Sequence, residues 1–304
     1  MKDVRAKGVV FALSAALIWG LAFAFQRSAS GAIGPFTFNF YRNTLAVASL
    51  TPVLLLRRRL GRGSRTPPEK RRQLLVGGLV TGALLFAAAY LQQAGLSGTE
   101  AGKAGFLTAL YSVLVPLISV ALLRRRVSAR LWCSVLLAMA GLYFICIKTG
   151  FTLEKSDVLV LGCALVYAVY ILSVDHFVSG LDAVLLSCVH FAVSGVLSGI
   201  AAFALETPAL GALRDNLTAV LYVGVCSSAV GYTLEFAAHQ QGNPVAVSLL
   251  LCMESVFSVL GGALILGERL SARELFGCGV MFCAVILAQL PETFFHRKIK
   301  PAER

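Results

Sequence analysis

The chain has 304 residues, of which 58% are hydrophobic and only 14% charged, with a mean hydropathy of +0.80. In soluble domains about a quarter of residues are charged, so this composition excludes a soluble globular protein, and the apolar runs leave no room for a soluble catalytic domain. The net charge of +12 would raise nucleic-acid binding in a soluble protein, but here Lys and Arg cluster between apolar runs, a pattern that signals membrane topology.

Taken in chain order, apolar length and polar or Pro/Gly boundaries mark ten spans: 8–26, 35–56, 74–96, 104–123, 132–147, 158–174, 183–205, 217–238, 245–266 and 275–290. Only helices satisfy every backbone group in lipid at these lengths, so the expected fold is an all-α membrane protein. Eight cysteines are scattered singly through the apolar segments, with no CxxC and no histidine at ligand spacing. They read as small core hydrophobes, and neither metal nor cofactor is expected.

Basic residues set the orientation. With the N-terminus in the cytoplasm, nineteen Lys and Arg fall inside: in 2–7, in the cluster 57–72, at 124–130 and in the tail. Seven fall outside, and Arg42 is left within a span. Both termini are therefore expected in the cytoplasm.

The halves align with each other. An offset of 148 superimposes Ala16-Leu17-Ile18-Trp19 on Ala164-Leu165-Val166-Tyr167, and Gln92-Gln93 on Gln240-Gln241. Later the offset becomes 143 and places Val127-Ser128-Ala129-Arg130 on Leu270-Ser271-Ala272-Arg273. Five spans is an odd number, so the second copy is inverted in the membrane. The expected organisation is a first repeat in residues 1–150 and an inverted second repeat, with a cytoplasmic tail, in 151–304. Inverted repeats of this kind are common in secondary transporters, with the site where the copies meet.

The sequence resembles the EamA type of the drug/metabolite transporter superfamily. The resemblance rests on Ala16 to Gly20 in span 1, Arg42 in span 2, Gly105 to Tyr111 running to Val115-Pro116 in span 4, Glu254 in span 9, and Gly267-Glu268-Arg269-Leu270-Ser271. It implies ten helices in two five-helix repeats. Where the family usually has proline after the span 9 glutamate, this chain has Ser255.

Glu254 lies near the centre of span 9, where a charged side chain costs about 3 kcal/mol or more without a partner or water. It can take up a proton in each cycle, hold a cationic group of the substrate, or serve as a structural acid. Trp19 and Tyr167 are repeat counterparts, and Tyr111 is the counterpart of Glu254. The expected substrate-binding set is therefore Trp19, Tyr111, Tyr167 and Glu254 around one central cavity, which suits an ammonium-bearing or aromatic ligand. Candidates for proton coupling or gating are Glu254, Glu235, Arg42, its counterpart His190, and Tyr232. Glu235 shares a helical face with Tyr232 and His239 and is expected near the cytoplasmic end, within reach of water. The two glutamine pairs are expected at opposite mouths of the pathway. Pro116 can kink span 4 beside Tyr111.

No phosphate-binding loop or catalytic constellation is present in the sequence, which points away from an enzyme and towards gradient-driven transport. The leading reading is a secondary transporter that exports a small organic metabolite, such as amino acids or amines, by alternating access with proton coupling. Multidrug or cationic-compound efflux and uniport without ion coupling are the alternatives. Expected partners are the substrate, the lipid bilayer and protons, with no nucleic acid. A monomer suffices, and the expected location is the bacterial cytoplasmic membrane.

Overall fold

The computed structural model describes residues 6–61, 66–99, 101–147, 153–208, 210–266 and 270–290. Lys2, Arg5, Arg62, Arg65, Lys148, Gly267, Glu268, Arg269 and the tail basics Arg297, Lys298, Lys300 and Arg304 lie outside these residues.

The described residues are almost wholly helical and contain no strand; Ser30 and Ile33 form a single isolated bridge. The longest rods are α1 (Ala6–Ala29), α2 (Pro35–Arg59), α3 (Arg71–Leu96), α6 (Ala129–Cys146), α7 (Lys155–Phe177), α8 (Ala183–Leu205) and α14 (Ala272–Gln289). Between them lie α4 (Ala101–Ala109) and α5 (Tyr111–Ala121), the short α9 (Leu210–Asp215) and α10 (Leu217–Leu221), a π-helical stretch Tyr222–Tyr232, α11 (Thr233–His239), α12 (Pro244–Leu251) and α13 (Glu254–Leu266).

Among the described residues, eight helices are long and apolar enough to cross a membrane, and Pro244–Leu260 is a shorter apolar helix. The ten expected spans thus meet the structure with two departures. Residues 35–56 fold as α2, a helix of 25 residues, but Asn39, Arg42, Asn43 and the terminal Arg57, Arg58 and Arg59 make it much more polar than its neighbours. Residues 245–266 fold as α12 and α13 with a break at Cys252 and Met253, and the described apolar stretch there is Pro244–Leu260.

Helix starts follow ordinary capping chemistry. Ser128 accepts a hydrogen bond from the Leu131 amide at the head of α6, and Ser271 forms a capping box with Glu274 at the head of α14. Asp182 caps α8 and Asn243 caps α12, with Pro244 in the first turn, where its missing N–H costs nothing. The start of α2 is capped from afar: the Phe36 and Thr37 amides donate to Glu206, at the end of α8, at 3.0 and 2.8 Å. A carboxylate there satisfies orphan amides and faces the positive end of the helix dipole.

The helices pack in interlocking pairs, with α6 on α14, α3 on α7 and α8, α2 on α8 and on the π-helical stretch, and α1 on that stretch, α11 and α13. Gly141 and Gly277 let α6 and α14 touch along their backbones: a Cβ on Gly277 would sit 2.8 Å from the Gly141 carbonyl oxygen. Large apolar side chains such as Leu55, Val196, Ile200, Phe203 and Phe276 are exposed on the outside, where lipid covers them.

Polar contacts concentrate at the two ends of the bundle. At one, the basic end, Arg57 pairs with Asp182 at 3.0 Å, Arg125 with Asp175 at 2.7 Å, and Lys70 donates to the Ser179 carbonyl at 3.0 Å. At the far end Lys103 pairs with the buried Asp157 at 2.5 Å, Thr99 donates to the same carboxylate at 2.9 Å, and Arg27 donates to the Leu96 and Thr99 carbonyls. Both sets join residues before 150 to residues after it, with Arg27 bracing its own half.

Candidate functional site

A small cavity lies between the two ends, and its wall includes Trp19, Arg42, Tyr111, Tyr167, Tyr232, Glu235 and Glu254.

Each polar wall residue is placed by a local feature of its helix. Trp19 points from α1 onto the π-helical stretch, where its Nε1 donates to the Ser227 carbonyl at 3.1 Å. Such stretches free carbonyls from regular pairing and occur often at functional sites. Gly231 lies directly under the indole, and a Cβ there would sit 2.5 Å from Nε1. Arg42 reaches the same stretch from α2, its Nε donating to Ser228 Oγ at 3.1 Å. It is only 3% exposed, and among the described residues no carboxylate pairs with it.

The two broken helices supply the opposite wall. The α4–α5 rod breaks at Leu110, one residue before Tyr111, and the α12–α13 rod breaks at Cys252 and Met253, immediately before Glu254. The break in the first rod falls six residues ahead of Pro116, so the expected kink arises upstream of the proline. In the second rod Ser255 stands after the glutamate and the rod still breaks. Irregular backbone is tolerated at membrane depth where it lines a cavity. Glu254 is 5% exposed and makes no hydrogen bond or ion pair among the described residues. Its backbone is held against α1 at Gly20, where a Cβ would lie 2.6 Å from the Glu254 carbonyl oxygen.

Aromatic rings and hydroxyls join these walls. Trp19 and Tyr232 rings lie 4.8 Å apart, and Tyr111 and Tyr167 rings 6.4 Å apart. The Tyr167 and Tyr232 hydroxyls share a hydrogen bond of 3.3 Å. Tyr170 donates to Glu235 Oε2 at 3.0 Å, and His239 Nε2 approaches Oε1 of the same carboxylate at 3.9 Å. The site therefore sets two carboxylates and one guanidinium around a small aromatic-lined space.

The chain matches the EamA-like transporter family over residues 6–147 and again over residues 154–290. It belongs to that family. A protein of Archaeoglobus fulgidus named an uncharacterized transporter is 28% identical over 282 residues, which cover 90% of this chain and 83% of that protein. The PecM protein of Dickeya dadantii is 33% identical over 90 residues, 29% of this chain and 30% of its own. A solved crystal structure, 18% identical, covers 96% of this chain and 99% of its own with a TM-score of 0.79, a likeness of fold. The family and the transporter-named relative make this EamA chain an integral membrane transporter rather than an enzyme, with a small-molecule substrate and a lipid environment.

In this EamA transporter, Trp19, Tyr111, Tyr167 and Glu254 border the same cavity, as do Arg42, Tyr232 and Glu235. His190 lies outside this set, and Glu235 is more buried than its sequence position suggests. His190 stands behind the wall, its Nδ1 3.2 Å from Thr81 Oγ1 and its ring 5.8 Å from that of Tyr232. Glu235, one turn before the end of α11, is only 1% exposed, because α11 packs against α1, α8 and α7. Gln92 lines the cavity, with its amide 3.4 Å from Thr108 Oγ1, and Gln240 lines a vestibule at the basic end.

Gln26, Thr108, Tyr170 and Ser227 also line the cavity and were missed by sequence reasoning. Three had a signal: Tyr170 is three residues after Tyr167, Thr108 three before Tyr111 and Gln26 seven after Trp19, spacings that share a helix face. Ser227 had none, since its place depends on the π-helical winding.

Proposed function

We propose that this chain is a secondary transporter that exports amino acids or related amines by alternating access, with Glu254 coupling transport to protons. The observation that carries this reading is the charge arrangement of the cavity. Among the described residues Arg42 has no carboxylate partner and Glu254 no donor, yet both line one cavity. Burying both charges unpaired is costly, and a zwitterion with a carboxylate for Arg42 and an ammonium for Glu254 relieves both. Trp19, Tyr111 and Tyr167 add aromatic faces suited to a cation or a ring. A proton on Glu254 replaces the ammonium when the site is empty.

The reading places two inverted five-helix repeats in residues 1–150 and 151–304. The interfaces support this, because they exchange under the repeat offsets. The pairing of α1 with α13 is answered by that of α7 with α5, and the pairing of α3 with α7 by that of α1 with the Tyr222–Tyr232 stretch; α6 with α14 and α2 with α8 answer themselves. In this reading the basic end and both termini face the bacterial cytoplasm, as the nineteen-to-seven bias of Lys and Arg supports.

The test is a thermal-shift panel of amino acids, polyamines, nucleosides and cationic drugs on purified protein, followed by proteoliposome flux of the stabilising compounds. Stabilisation by amino acids and flux that rises with an imposed pH gradient are expected. Stabilisation by cationic drugs alone would move the substrate to the efflux alternative, and flux indifferent to the gradient would make the protein a uniporter.

A further inference from the structure

A second polar feature lies beyond the cavity wall. His239, at the end of α11, borders both the buried Glu235 carboxylate and an open vestibule at the basic end. The vestibule is lined by Asp175, Ser179, Gly180, His239 and Gln240, with Ser179, Gly180 and Gln240 exposed. The histidine is 3% exposed, and neither of its ring nitrogens has a hydrogen-bond partner. A buried imidazole normally satisfies both nitrogens, so an unpartnered one between a carboxylate and an open vestibule requires an explanation.

We infer that Glu235 and His239 form a proton relay between the central cavity and the vestibule at the basic end. Glu235 Oε1 faces Nε2 at 3.9 Å, a gap that a modest side-chain rotation closes to hydrogen-bond length. When Glu235 is the acid, its proton moves to Nε2 and leaves the carboxylate, while the imidazolium so formed turns its ring toward the vestibule and releases its Nδ1 proton to water there. The pair thereby loses one proton, and the Glu235 carboxylate regains one from the central cavity. The imidazole ends neutral in its other tautomer and resets by a ring flip or by the reverse transfer.

The surroundings isolate this route. From α7, Tyr170 bonds the second oxygen of Glu235, and Asp175 at the vestibule is held by Arg125. The π-helical stretch contributes Tyr232, and α8 contributes His190, whose Nδ1 is engaged with Thr81. Arg42 and Glu254 stand across the cavity. On α1 the charged residues are at the two ends: Lys7 is exposed, and Arg27 is bound to carbonyls at the far end. The α12 segment carries no charged group.

The relay rests on the proton-coupled reading above, but it is tested without any substrate. Infrared difference spectra of the purified full chain in liposomes, after a jump between about pH 5 and about pH 9, follow the carboxyl band that Glu235→Gln removes. In the wild type this band responds quickly. In His239→Ala the response slows by at least about tenfold, and free imidazole added to the medium restores it. Three results would overturn the relay: an unchanged rate in His239→Ala, a slow rate that imidazole does not restore, or a Glu235 band that never responds in the wild type. None of these bears on Glu254, whose role is read separately from substrate flux, so the two readings can fail independently.

Discussion

The two broken rods occupy matching places and carry opposite chemistry. At the first break the chain presents Tyr111, a neutral hydroxyl whose contact in the structure is Cys252 Sγ at 3.8 Å. At the second it presents Glu254, a carboxylate without a hydrogen bond. The long rods differ in the same way: α3 is regular α-helix along its length, whereas its counterpart Leu217–His239 is wound as π-helix over Tyr222–Tyr232. Packing has kept the frame of the two halves alike, because each must fit the other. Both carboxylates of the cavity wall, Glu235 and Glu254, and the π-helical backbone belong to the second half.

The strongest test of that division sets the two counterparts against each other. Glu254→Gln keeps shape and hydrogen-bonding capacity while removing the titration. It should leave insertion and folding intact and lower pH-gradient-driven flux of a thermal-shift hit by at least about tenfold. Tyr111→Phe removes one weakly engaged hydroxyl and should retain most of the flux. Equal losses in the two variants, or wild-type flux in Glu254→Gln, would remove the asymmetry and leave Glu254 a structural acid.

A smaller effect concerns how the second break is held. A side chain at Gly20 would meet the Glu254 carbonyl oxygen at 2.6 Å and the Ser258 amide nitrogen at 2.9 Å, atoms of backbone that cannot swing aside. Gly20→Val should therefore lower stability by about 1–3 kcal/mol, seen as a reduced thermal midpoint in detergent. In α4, beside the first break, a Cβ on Gly105 would meet nothing within 4 Å, so Gly105→Ala should leave the midpoint unchanged or slightly raised. A Gly20 variant as stable as the wild type would mean that α1 does not fix the position of Glu254.

Much of this was legible in the sequence because hydrophobic length and repeat offsets are one-dimensional signals. The caps Ser128 and Ser271 coincide at the offset of 143, and Trp19, Tyr111, Tyr167 and Glu254 could be brought to one depth by counting alone. What escaped depends on winding and on neighbours. Nothing in Tyr222–Tyr232 announces π-helix, so Ser227 was invisible, whereas Glu235 does share a face with Tyr232 and His239 as the spacing indicates. His190 was drawn into the site as the counterpart of Arg42, but a repeat alignment fixes depth and leaves rotation about the helix open. The polarity of α2 reads as a defect in a membrane span until its partners on α8 and the π-helical stretch are seen, such as Ser194 for Asn43 at 2.9 Å and Ser228 for Arg42.

The smallest expected effect returns to the counterparts Trp19 and Tyr167. Trp19 donates to a backbone carbonyl that the π-helical winding leaves available, and its ring packs on Tyr232 at 4.8 Å. Tyr167 reaches the same Tyr232 through a hydroxyl contact of 3.3 Å, long for two hydroxyls. Trp19→Phe strands the Ser227 carbonyl and empties part of the indole volume, which together should cost about 1–3 kcal/mol. Tyr167→Phe keeps the ring and leaves Tyr232 beside Arg42 on the cavity wall, so its cost should stay below about 1 kcal/mol. Thermal midpoints of the two variants and of the double variant measure both terms and their coupling. A Tyr167 loss as large as that of Trp19 would show that the aromatic wall, rather than the π-helical backbone, holds the second half of the cavity in shape.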